Sequence, residues 1–388
     1  MKQVTFLLLS VFIALPALAQ SEELEMYSVL FDEAGTRVQQ YEVLQNVVTS
    51  NAGTPEFYAK ALDRLLSEYP NVRGSTETAA ADSMARLLAA QLGEAGYAGA
   101  GPALWRTVEI FTNPLVKAEA LQALGKTGAA ELLPQVVQLL SDLNLKPTED
   151  REMGNQIAYG AVLALEGYKD AAGYLPVFFA SHGWYLDRVK SQALKSLNVI
   201  LPDPSEPLIE VIKSPGYTYD IKYHALRVEE NSESTTRSKA EVAVAALASA
   251  WHSATGDMRQ RASLTGSRKL SVNMIRRYGT EDASVYPLLE RCYKEGVDEE
   301  EKLETLAALA ALGTDDSARL LSAFLMDFNI RLQRGLMTQA DERMVRAVIP
   351  ALGATGRPIA RPALNSVLSM DWTNAVKNLA SQALRSIR

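Results

Sequence analysis

The chain has 388 residues, of which 47% are apolar and 22% charged, with a formal net charge of −7. That length and apolar share suffice for a large packed core. The acidic balance excludes a general nucleic-acid binder, which needs a basic face to displace counterions. Cys292 is the only cysteine, so no internal disulfide can form and stability rests on packing.

The first element is a leader. Lys2 precedes the apolar run "VTFLLLSVFIALPALA" (4–19), and Ala17-Leu18-Ala19 offers a small-x-small cleavage pattern. Residues 1–19 are therefore expected to be a secretory signal peptide, cut before Gln20. The alternative, a membrane anchor, needs about 20 apolar residues. No cysteine follows the cleavage position, which leaves a bacterial lipid anchor without its sulfur. No later run is apolar enough to span, so the mature chain is expected to be periplasmic or secreted, without a transmembrane segment. Removing the leader takes Lys2 and no acid, so −7 becomes −8.

Residues 20–75 read as an N-terminal helical cap. "RVQQYEVLQNVVTS" (37–50) and "PEFYAKALDRLLSEY" (55–69) form a polar helix pair there. A patterned series follows. A glycine is followed nine positions later by a proline at Gly93/Pro102, Gly125/Pro134, Gly167/Pro176 and Gly353/Pro362. Asn198/Pro207 keeps the spacing, and Gly279/Pro287 is one residue shorter. Each glycine or asparagine closes an alanine-rich apolar run with 3–4 spacing, and each proline opens another. Glycine tolerates the left-handed backbone of a helix end, and proline is tolerated in a helix's first turn. The series thus predicts helix stops at the glycines and helix starts at the prolines, with the two runs forming a hairpin. Gly93, Gly125, Gly167, Asn198, Gly279, Gly313 and Gly353 are spaced by 32, 42, 31, 81, 34 and 40 residues, where 81 is two units. "SQALKSL" (191–197) and "SQALRSI" (381–387) are nearly one helix written twice. Such periods indicate an α-helical repeat array.

On these residues the chain resembles the HEAT-repeat family in its short HEAT-like form. There the first helix ends in Ala-Leu-Gly and a proline sits near the start of the second. "LVKAEALQALGKTGAAELLPQVVQLL" (115–140) carries the resemblance best, and it extends over 76–372. It implies an all-α fold, a right-handed α-solenoid of about eight helical hairpins. Polar ends would cap it, with 373–388 as the C-terminal capping helix. Residues 219–256 depart from the pattern: "ENSESTTRSK" (230–239) replaces the tight turn, and 230–237 is expected to be exposed and mobile.

Chemistry is sparse. His182, His224 and His252 are the histidines, and none is followed by glutamate, so the His-Glu pairs of HEAT-like di-iron hydroxylases are missing. There is no G-x-S-x-G elbow, Walker-type phosphate loop or C-x-x-C. No catalytic residue, metal or cofactor is assigned. Cys292 reads as a small buried apolar residue, because a catalytic thiol wants a nearby histidine.

Three features stand above background. "SHGWYLD" (181–187) and "SPGYTYD" (214–220) both read Ser-x-Gly-aromatic-x-x-Asp. The segment 168–224 holds nine of the 28 aromatic residues, a density that singles it out as a candidate interface. Trp184, Tyr185, Tyr217 and Tyr219 are the candidate partner contacts; the alternative is that these rings plug seams between hairpins. The second feature is Arg259, Arg261, Arg268, Lys269, Arg276 and Arg277 in a stretch (259–277) without an acid. Arg268 and Arg276 are candidate contacts for an acidic partner, unless they pair with the acid-rich 278–304. The third, "DEEEKLE" (298–304), reads as helix-start acids favoured by the helix dipole.

The expected function is a non-catalytic scaffold or adaptor that binds a protein partner along a concave solenoid face. The alternatives are an enzyme or enzyme subunit of the HEAT-like lyase type, which needs converging polar groups, and a cell-wall or glycan-binding module, which needs exposed coplanar aromatics.

Overall fold

The structure is a computed structural model that describes residues 22–251 and 256–387. The expected signal peptide and His252 lie outside the described residues. All regular structure among the described residues is helical, without a strand. The helices fall into two compact units that divide after Leu201.

The first unit contains α1 (22–33), α2 (Arg37–Thr49), α3 (Pro55–Glu68), α4 (Ser75–Glu94), α5 (Gly101–Ile110), α6 (Pro114–Thr127), α7 (Leu133–Leu145), α8 (Arg151–Tyr168), α9 (Tyr174–His182) and α10 (Asp187–Ile200). Helices α2, α4, α6, α8 and α10 pack side by side in one layer. Helices α3, α5, α7 and α9 back them as a second layer. The second unit repeats the plan. It has α11 (Ser205–Lys213), α12 (Tyr219–Glu230), α13 (Thr236–Trp251), α14 (Met258–Tyr278), α15 (Val285–Glu295), α16 (Glu299–Leu312), α17 (Asp315–Gln333), α18 (Gln339–Ala354), α19 (Arg361–Ser369) and α20 (Asn374–Ser386). Helices α12, α14, α16, α18 and α20 form one layer, and α11, α13, α15, α17 and α19 the other. Leucine, alanine and valine at 3–4 spacing fill the space between layers, as with Leu121, Leu124 and Leu165, none of which is exposed.

The prolines stand where expected, within the first turn: Pro102, Pro134 and Pro362 at the second helical position, and Pro176, Pro207 and Pro287 at the third. The glycines behave differently from the expectation. Gly93, Gly125, Gly167 and Gly353 lie inside the last turns of their helices, and the left-handed residues follow them: Gly96, Gly128, Lys169 and Gly356. "ALGKTG" and "ALGATG" therefore fold alike. The hydroxyls of Thr127 and Thr355 donate back to the carbonyls of Leu124 and Leu352 at 2.9 and 2.7 Å. Gly128 and Gly356 then turn the chain with φ of 65° and 67°. A short 3₁₀ turn, Ala130–Leu132 or Pro358–Ala360, leads into the next helix.

The first glycine of each motif serves packing. A Cβ on Gly125 would lie 2.5 Å from the Ala164 carbonyl oxygen, and one on Gly167 would lie 2.6 Å from the Gly125 backbone. On the same seam a Cβ on Gly160 would lie 2.6 Å from the Ala118 Cα. Helices α6 and α8 thus touch backbone to backbone. The hairpin pairing also differs from the reading above. Each proline-opened helix packs closely on the helix after it, as in α5–α6, α9–α10 and α19–α20. The glycine-proline connector joins one such pair to the next.

The segment 230–237 is a short tied turn. Asn231, Glu233 and Thr235 are exposed, but Ser232 is buried. The Lys239 ammonium donates to the Glu230 and Ser232 carbonyls at 3.0 and 2.8 Å, where a glycine turn would have closed the chain. Beneath it Glu229 is fully buried, and neither carboxylate oxygen has a hydrogen-bond partner. The nearby hydroxyls donate elsewhere, Ser232 to the Glu229 carbonyl and Ser234 to Asp203. Burial, with the neighbouring Asp203 charge, pushes the Glu229 carboxyl from 4.5 up to about 7.

Two predictions follow from this packing. Gly125→Val should cost about 2–3 kcal/mol through overpacking of the α6–α8 seam. Gly128→Ala should cost about 1 kcal/mol through its left-handed backbone. Urea midpoints measure both, and equal costs would contradict the division of roles. For Glu229, the folded state holds its proton above the unfolded value. Its contribution to stability is present below about pH 4.5 and is lost as pH rises through about 7. Glu229→Gln should stabilise the chain at pH 8 by up to about 3 kcal/mol and change little at pH 4, read from denaturant titrations at the two pH values.

Candidate functional site

The aromatic and basic residues singled out in the sequence are mostly engaged internally. Tyr185 is 3% exposed, and its hydroxyl pairs with the Asn144 amide oxygen at 3.0 Å. Trp184 lies against it at 4.4 Å between ring centres, with its indole N–H donating to the Leu143 carbonyl at 2.8 Å. Both fill the seam between the 181–187 turn and α7, so Tyr185 has no surface to offer a partner. Tyr217 and Tyr219 are half-buried, with the Lys222 ammonium 5.5 Å from the Tyr219 ring. Tyr185 belongs to the first unit and Tyr219 to the second, so they are not successive rungs of one compact unit.

Arg268 is 8% exposed. Its guanidinium donates to Glu301 at 2.6 Å and covers the Trp251 ring at 4.4 Å. Arg276 pairs with Glu304 at 3.0 Å, and Lys269 pairs with Asp298 at 2.8 Å. The basic stretch on α14 therefore neutralises the acid-rich start of α16. In that start Asp298 also caps the helix by accepting from the Glu301 N–H at 2.8 Å. Arg268 is an interior ion-pair member, and its expected role as a partner contact is corrected by its burial. Cys292 is fully buried, and burial pushes its thiol up to about 12, far from a reactive thiolate. Among the described residues, no three His, Cys, Asp or Glu side chains are grouped to hold a metal ion. No helix of the described residues is long and apolar enough to cross a membrane.

The residues that stand open lie elsewhere, on the α2–α10 layer of the first unit. A cavity of about 240 Å³ is lined from four successive helices of this layer: Arg86 on α4, Glu119 on α6, Glu152 and Gln156 on α8, and Arg188 on α10. A second depression of about 290 Å³ shares Arg86 and Glu119 and reaches Tyr41 on α2. Together they make one groove running across the helices. Leu115 and Leu186 form apolar walls, 45% and 57% exposed.

The principal charges of the groove stand without ion-pair partners among the described residues. Arg86 and Glu119 make neither an ion pair nor a hydrogen bond to the described residues. The Arg188 guanidinium lies over the Tyr159 ring at 4.3 Å and has no carboxylate partner among them. Gln156 donates its amide N–H to Glu152 at 3.1 Å, while its amide oxygen is buried with no donor. Two other cavities differ. In the one of about 440 Å³ near the start of α2, Arg37 and Arg64 are both held by Glu68. In the one of about 420 Å³ beside α15 and α17, Arg331 is shared by Asp327 and Asp341 at 2.9 and 3.1 Å, and Lys294 is held by Glu290. Its Tyr293 and Phe324 rings stack on each other at 3.9 Å, and Phe324 is 4% exposed, so they are not an open platform.

Sequence reasoning passed over Arg86, Glu119, Gln156 and Arg188 because each looks like an ordinary polar residue on an amphipathic helix. Their one legible mark was position: Leu115, Glu119 and Gln122 on α6, like Glu152, Gln156 and Tyr159 on α8, recur at 3–4 spacing opposite the buried stripe.

Comparison with known proteins adds no function. No family's sequence profile matches the chain, and no curated protein matches it in sequence. Among solved structures it is similar to the crystal structure of an engineered protein, at 12% identity and a TM-score of 0.34, over 93% of this chain and 98% of that one.

The side-chain placements set two expectations. Tyr185→Ala should cost about 3 kcal/mol or more by emptying a packed seam, whereas Tyr219→Ala should change the thermal midpoint little. Arg268→Ala should cost about 3–5 kcal/mol, because it leaves Glu301 charged and buried without its partner. The double change Arg268→Met with Glu301→Leu should recover most of that loss; chemical denaturation of the three variants measures it.

Proposed function

We propose that this chain is a non-catalytic binding scaffold of the HEAT-like type, a right-handed array of about eight helical hairpins. It would be exported to the cell envelope and hold an extended polypeptide segment of a protein partner in the groove of its first unit. One observation carries the reading: Arg86, Glu119 and Arg188 line this groove without an ion-pair partner among the described residues, whereas in the corresponding layer of the second unit Arg268, Arg276 and Arg343 each pair with a glutamate. Unpaired charges at a mixed apolar and polar groove are what recognition uses for register and specificity. An extended strand is the shape that crosses several helices at about 3.3 Å per residue while presenting side chains to each. The apolar leader and small-x-small site support export.

The test is selection from a random-peptide display library against the full chain. Selected peptides should lose binding to the Arg86→Glu/Leu115→Asp variant and keep it with Lys294→Glu in the second unit. Leu115 stands in the first turn of α6, where an acid is tolerated, so the variant should fold, as circular dichroism will show. Selected peptides indifferent to both variants, or none selected at all, would remove the groove as the binding surface.

A further inference from the structure

The groove's chemistry specifies part of its occupant, and this inference rests on the binding role just proposed. At the centre of the cavity the open groups are acceptors. The Glu119 carboxylate on α6 makes no hydrogen bond or ion pair to the described residues. The Gln156 amide oxygen on α8 is buried without a donor. Glu152 receives only the Gln156 amide N–H at 3.1 Å. A buried acceptor left unsatisfied costs about 1–3 kcal/mol, so this arrangement is suited to a group that arrives with several N–H donors. At the two ends the open groups are donors, Arg86 on α4 and Arg188 on α10. The order across the helices is cation, anion, anion, cation.

We infer that the groove receives a basic side chain, arginine or lysine, of an extended segment whose acidic residues flank it on both sides. The cationic head enters between α6 and α8, where Glu119 supplies the countercharge and the Gln156 oxygen accepts one N–H. Leu115 and Leu186 cover the aliphatic stem, as long basic side chains lay their methylenes on apolar surface. A cavity of about 240 Å³ accommodates one such side chain and little more. The flanking acids meet Arg86 and Arg188. Adjacent helices of a layer are about 8–10 Å apart, which an extended chain covers in about three residues. The base, seated between α6 and α8, lies about one and a half such spacings from α4 and from α10, so the pattern expected is an acid, a base about four residues on, and an acid about four residues after that, which also turns the three side chains to one face of the strand. A partner of uniform charge, whether polyanion or polycation, is rejected, because it meets a like charge at either the centre or the ends.

The probe is a fluorescent ten-residue peptide carrying Asp-Ala-Ala-Ala-Arg-Ala-Ala-Ala-Asp, titrated against the full chain by fluorescence anisotropy. Replacing its arginine by norleucine should weaken binding about tenfold or more, since the central acceptors are then left unmet. Glu119→Lys should abolish binding of the arginine peptide and create binding of one with glutamate in its place. Glu119 is only half-buried, so the variant should keep its urea midpoint; Glu119→Gln, with a weaker loss of binding, is the gentler second variant. Equal binding of the arginine and norleucine peptides, or no response to either Glu119 variant, overturns the inference. If library peptides still depend on Arg86 and Leu115 in that case, the scaffold reading stands without it. If none does, both fall together.

Discussion

Helices α6 and α8 touch through their backbones, and the first unit is organised around that contact. Gly125, Gly160 and Gly167 leave no Cβ on the seam, and Ala118 and Ala164 face them with the smallest side chain available. Larger residues would separate the helices by the width of a side chain. Because they do not, Glu119 on one helix and Glu152 and Gln156 on the next reach the same cavity. The small residues therefore do more than stabilise: they bring the polar faces of two helices close enough to act as one surface.

The connectors set the rest of the geometry. A threonine hydroxyl returned to the helix, a left-handed glycine and a 3₁₀ turn recur at Thr127-Gly128 and Thr355-Gly356 with nearly the same backbone angle. The chain writes the motif twice because the same physical problem, ending one helix and starting a backing helix after a few residues, recurs. In each case the first glycine answers to the neighbouring helix, Gly125 to α8 and Gly353 to Ala383 on α20. Two glycines three residues apart thus have different causes.

The α4–α10 face of the first unit and the α14–α16 face of the second place charge differently. In the second, α14 and α16 exchange ion pairs from the buried Arg268–Glu301 outward to Arg276–Glu304, and Lys239 ties the turn above buried Glu229. In such a closed network a buried member is costly to remove alone, because its partner is then left charged and buried. In the first unit the corresponding polar face is left open, with Arg86, Glu119 and Arg188 pointing into a groove rather than at one another. Residues of equal polarity thus serve cohesion in one place and stand available for recognition in the other.

The sequence by itself determined the helical class, the places where helices begin and the repeated connector. These depend on local chemistry: a proline suits only a first turn, and apolar residues at 3–4 spacing suit only a helix with one buried face. It also offered, as one of two readings, the pairing of 259–277 with the acid-rich 278–304, because charge balance is additive along a chain. Only the tertiary structure decided what each glycine is for, since a missing Cβ looks the same whether it frees a backbone angle or admits a neighbouring helix. The same holds for the aromatic residues: Tyr185 and Tyr219 share a local motif, yet one is sealed against Asn144 and the other is half-buried beside Lys222. The groove was illegible for a related reason. Whether Arg86 and Glu119 find partners depends on which helices stand beside them, and that is set by contacts between residues far apart in the chain.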